Sequence, residues 1–136
     1  MPSPSSSRDF QHAAQQRLTT AEFLLDHGYN LDAMYLAGYT IECSLKALIL
    51  EATPAGDQQP MLDKISAGKT MHDPETLGGI LKDLGKPIPV ELVKRCRRSH
   101  WTTDLRYEFG RRDTGETRAV LKTAKAVLDW VGGQLP

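Results

Sequence analysis

At 136 residues the chain is one domain's worth of protein, long enough to bury a real core. Lys and Arg together number 17, as do Asp and Glu, so no global basic field draws it to nucleic acid and no acidic excess marks a solvating tail. With no leader pattern, the two cysteines, Cys43 and Cys96, are expected to be buried free thiols in a reducing, cytoplasmic setting.

Residues 1–7 open with MPSPSS, a small polar tail expected to be disordered, and residues 8–136 form a single helical domain. A first helix is expected from about Ser7 to His27. Its apolar stripe is Phe10, Ala14, Leu18, Ala21 and Leu25; Ser6 with Asp9 resembles a capping box, and Gly28 is a stop. Asn30 can cap a second helix ending near Ala52, before Pro54. Residues 53–71 read as a long loop, broken by Pro54, Gly56, Pro60 and Gly68, in which MLDKIS forms at most a short turn. Asp73 and Pro74 mark the start of a third helix, to about Leu84, weakened by Gly78 and Gly79. A fourth is expected over about 90–102, an irregular connector over 105–112, and a last helix over about 115–131. Thr114 is its expected cap, and Gly132 and Gly133 its expected end. No strand-like alternation occurs, so the fold class is all-α, packed as an up-and-down bundle.

The second helix carries the most information. Its run LDAMYLAGYTIECSLKALIL is apolar nearly all round, which marks a central helix, and Asp32, Glu42 and Lys46 make membrane insertion costly. Tyr35, Tyr39, Glu42 and Lys46 fall on one stripe. The Glu42–Lys46 spacing reads either as an i, i+4 ion pair at the core edge or as a pair facing a site.

IECSLKALIL, then a loop and His72-Asp73, then Leu105-Arg106-Tyr107-Glu108 before the last helix, occur in an order that resembles the HEPN domain family. The resemblance spans about 8–131. It implies a four-helix up-and-down bundle, here with an additional short helix, that forms a homodimer. The family includes metal-independent endoribonucleases of toxin–antitoxin and defence systems. It also includes partners of minimal nucleotidyltransferases and members with no known catalysis.

Ribonucleases of that family use an Arg, four to six residues, then a His, a pattern that Arg95 and His100 satisfy. His titrates near neutral pH and can move the proton of a 2′-hydroxyl, while Arg holds the phosphate. Against this, residues five apart on a continuous helix point roughly 140° away from each other, with His100 on the side of Val93 and Cys96, where Asp104 can hold it. A locally basic stretch surrounds the pair. Arg97, Arg98 and Arg106, with Trp101 and Tyr107 interleaved, form a candidate RNA or nucleotide surface together with Glu42 and Lys46, or else a solvated helix face. Arg106 has a further option, a tie to Glu42. His72 reads as a helix-start residue. No metal-ligand spacing, phosphate loop or cofactor motif appears, so no cofactor is expected. Three readings stay open: cleavage of RNA; binding of RNA, a nucleotide or a nucleotidyltransferase without catalysis; or a plain homodimeric bundle with only a scaffold function.

Overall fold

The axis of the protein is α2, Asn30–Ala52, against which α1 (Ser7–Asp26), α4 (Pro74–Asp83) and α6 (Thr114–Gln134) pack. These and the other elements are seen in a computed structural model that describes residues 4–99, 105 and 107–136. Two shorter helices, α3 (Gln58–Ile65) and α5 (Val90–Ser99), complete an all-helical arrangement, with no strand among the described residues. By length and composition α2 would suit a membrane span, but 83% of its most apolar stretch is buried inside the protein.

Small side chains bring α1 and α2 close. Ala14 and Ala21 on α1 and Ala33 and Ala37 on α2 are all fully buried. Across that seam the Thr40 hydroxyl donates to the Ala14 carbonyl at 3.0 Å, and Ser7 Oγ donates to the Ala47 carbonyl at 2.8 Å. The second bond anchors the start of α1 on the far end of α2. Leu45, Leu48 and Ile49 fill the centre of the core, with Leu77 and Leu81 from α4 and Val127 and Val131 from α6.

Local chemistry sets several helix ends. Ser6 Oγ accepts from the Asp9 N–H at 3.1 Å, and the Asp9 carboxylate accepts from Ser5. Gly28 takes a left-handed φ of 83°. Its N–H reaches the Leu25 carbonyl, and that of Tyr29 reaches Leu24, which closes α1 in a Schellman motif. Asp73 caps α4 by accepting from the Glu75 N–H, with Pro74 at the first helical position.

Four expectations are corrected. Residues 53–71 are not a long loop: α3 covers Gln58–Ile65, between 3-10 turns at Ala55–Asp57 and Lys69–His72. Pro60 sits in its first turn, where no N–H partner is needed, and buried Ile65 docks the helix on the core. Asn30 does not cap α2. It is the first helical residue, and its Nδ2 donates to the Arg112 carbonyl at 2.9 Å and Thr114 Oγ1 at 3.0 Å, pinning the start of α6 to that of α2. The cap of α6 is Asp113, which accepts from the Glu116 N–H at 2.8 Å, not Thr114. Gly132 and Gly133 do not stop α6. Each costs about 1 kcal/mol against Ala, but buried Val131 and the packing of Leu135 against the core carry the helix through them. The expected continuation of α5 past Ser99 lies outside the described residues.

Candidate functional site

Glu42 and Lys46 face inward rather than lying at an exposed edge. Their residues are 6% and 5% exposed, and Lys46 Nζ donates to Glu42 Oε2 at 2.8 Å. A third group joins them. His72, in the turn before α4, places Nδ1 2.7 Å from Glu42 Oε1. This contact ties the turn before α4 to the middle of α2. His72 is therefore not the helix cap, a role taken by Asp73. The Tyr39 ring stands edge-on to His72, with centroids 6.4 Å apart, and its hydroxyl pairs with that of Tyr35 at 2.9 Å.

Tyr39, Glu42, Lys46 and His72 line one wall of a chamber of about 400 Å³ between α1, α2 and the Lys69–His72 turn. Phe10 and Ala13 of α1 and Leu36 of α2 give it apolar surface; Arg17 and Ser66 add polar groups. Nothing in the spacing of Arg17 or Ser66 marks them in advance, because their neighbours here are distant in the chain.

Cys43 also lines the chamber, while Cys96 packs against the core from α5. Burial pushes the Cys43 thiol up to about 11; the Glu42 carboxylate adds to the shift, and Lys46 and Arg17 oppose it. Burial raises Cys96 to about 11 as well, against the nearby Arg95. Thiolate is the reactive form, so at pH 8 only roughly one thiol in a thousand is ionised. Both cysteines are expected to react with iodoacetamide at pH 8 far more slowly in the native protein than in urea. The folded thiols hold their protons above the unfolded value of 9.0. Their contribution to stability is thus full below about pH 9 and is lost as pH rises through about 11. Equal alkylation rates in native and unfolded protein would contradict this.

A second cavity, of about 380 Å³, lies between α5 and α6. Arg95, Arg98 and Ser99 line it from α5; Glu116, Lys122 and Thr123 line it from α6. The two cavities share no lining residue. Arg97 joins neither: its Nε donates to Glu75 Oε1 of α4 at 2.5 Å. Tyr107 is exposed on the connector beside the still more exposed Phe109. His100, Trp101, Asp104 and Arg106 lie outside the described residues. Glu42 already uses both oxygens, on Lys46 and His72. Among the described residues, no three His, Cys, Asp or Glu side chains gather as a metal site would require.

The described residues thus define an all-helical protein with a buried Glu42–Lys46 pair, joined at its edge by the half-exposed His72, and a separate Arg-lined cleft. No family model, curated protein or solved structure matches the chain.

Proposed function

We propose that this chain is a HEPN-type module that binds RNA or a nucleotide through the cleft between α5 and α6. In this reading α1, α2 and α6 are the long members of an up-and-down bundle, α4 and α5 close it, and the module pairs two-fold with a copy of itself. The observation that carries the binding reading is the lining of the cleft. Arg95, Arg98 and Lys122 face a single carboxylate, Glu116, with the hydroxyls of Ser99 and Thr123 beside them. Guanidinium forks and an ammonium are the groups that hold phosphate oxygens, and hydroxyls add donors. The ordered HEPN-like motifs favour the same ligand class.

The test is fluorescence anisotropy with a labelled single-stranded RNA at several salt concentrations. Wild type is expected to bind with a strong salt dependence. Arg95→Ala/Arg98→Ala is expected to bind more weakly and to reduce the salt slope by about 1.4, the share of two phosphate contacts on a single strand. Unchanged binding by the folded double variant, or no wild-type binding at low salt, would overturn the proposal. Light scattering on the same samples is expected to give twice the 15.1 kDa chain mass; a species of one chain would remove the dimer from it.

Cleavage is the second reading, favoured by the position of Arg95 in the cleft five residues before His100. Incubating the same RNA in EDTA with wild type and His100→Ala separates the two. Cutting that is lost in the variant establishes a metal-independent ribonuclease. Intact RNA with retained binding leaves a binding module, for which a nucleotidyltransferase is a candidate partner.

A further inference from the structure

We propose that the chamber over Glu42, Lys46 and His72 is a second binding site, for a small organic monocarboxylate with an apolar body. The chamber is separate from the phosphate-binding cleft and does not depend on that reading.

Three features select this ligand. The first is unused hydrogen-bonding capacity on a buried cation. Lys46 has three protons and gives one to Glu42; among the described residues it has no other acceptor. Buried ammonium groups seek further acceptors, and a ligand oxygen entering the chamber would supply one. The second is charge. Lys46 and Arg17 bring two positive charges to the chamber, and Glu42 returns one. Counting these three groups alone, a monoanion such as a carboxylate offsets the surplus more closely than a phosphate monoester dianion. Among the described residues no carboxylate pairs with Arg17, so its guanidinium can donate to one ligand oxygen while Lys46 donates to the other. The third is shape. Phe10, Ala13, Leu36 and Cys43 form an apolar wall in a space of about 400 Å³, at the small end of ordinary ligand pockets.

The existing polar contacts preorganise this arrangement. Glu42 holds Lys46 on one oxygen and His72 on the other, so neither has to be ordered when the ligand arrives. The ligand carboxylate would bridge Lys46 and Arg17, with its hydrocarbon part against α1 and α2.

The experiment is a titration of the full chain with octanoate and benzoate, followed by amide NMR shifts. Octanol and inorganic phosphate are run in parallel. Octanoate or benzoate is expected to bind with a Kd of about 1 mM or tighter. Shifts are expected to centre on Arg17, Lys46 and His72, with no comparable response to either control. Arg17→Ala changes an exposed residue of α1 and is the variant of choice, since it leaves the buried pair intact. It is expected to weaken carboxylate binding by about tenfold, the loss of one charge-assisted hydrogen bond. Four results would overturn the proposal. Equal binding of octanol would reveal a merely apolar pocket, and equal binding of phosphate an unselective cation patch. Absence of carboxylate shifts at these residues, or full binding by Arg17→Ala, would remove the site.

Discussion

Lys46→Met is expected to lower folding stability by about 3–5 kcal/mol, the largest effect of any single polar substitution considered for this protein. The reason is asymmetry. Lys46 and Glu42 are both nearly fully buried, and each offsets the desolvation of the other. Methionine fills most of the lysine stem's volume, so the packing change is small and the effect comes from charge. It leaves the Glu42 carboxylate in the core with only His72 beside it. Urea denaturation reads the loss directly, because a domain of this size is expected to unfold in one cooperative step. The control is Glu42→Met/Lys46→Met, which removes both charges. That pair is expected to recover most of the loss, since apolar replacement of a whole buried ion pair is often neutral or stabilising. A single-variant cost under about 1 kcal/mol would place the pair in the weak regime of exposed i, i+4 contacts.

Leu77→Ala is expected to cost about 2–5 kcal/mol and to loosen one side of the chamber before the whole protein unfolds. Leu77 and Leu81 are the two fully buried residues that hold α4 on α2. The helix has little else in its favour, because Gly78 and Gly79 each lower its propensity by about 1 kcal/mol relative to Ala. Gly78 also admits a close neighbour: a Cβ there would lie 3.2 Å from Ile88 Cδ1. The turn that carries His72 leads directly into this helix, so the Glu42–His72 bond depends on α4 staying docked. Hydrogen exchange should report faster opening of amides over 72–83 in Leu77→Ala, at denaturant concentrations where α1 and α2 remain protected. Uniform exchange across the chain, or a loss below about 1 kcal/mol, would show that α4 is held by something else.

The helix boundaries most legible in the sequence were those written in local chemistry. Ser6 with Asp9, Gly28, and Asp73 with Pro74 each act within one turn, so four or five residues carry the whole signal. Glu42 and Lys46 were legible as a pair for the same reason: a four-residue spacing puts two side chains on one helix face wherever that helix lies. The misreadings came where packing overrode local preference. Residues 53–71 look broken, yet Ile65 has a place in the core and α3 forms to deliver it. Gly132 and Gly133 look like a stop, yet Val131 and Leu135 have partners beyond the helix itself. Asn30 looks like a cap, yet its amide reaches a segment 82 residues away.

By itself, then, the sequence determined that the chain is helical, that α2 is its central helix, and that this helix carries Glu42 and Lys46 on one face. Periodicity and composition act over a few residues and need no knowledge of neighbours. Tertiary structure alone decided that the pair is buried, that His72 closes on Glu42 from 30 positions away, and that Arg17 faces the same chamber. It also decided that Arg95 and Arg98 meet Lys122 of α6 while Arg97 turns to Glu75. Side chains brought together across helices depend on how apolar faces pack, and packing is a property of the whole chain rather than of any window within it.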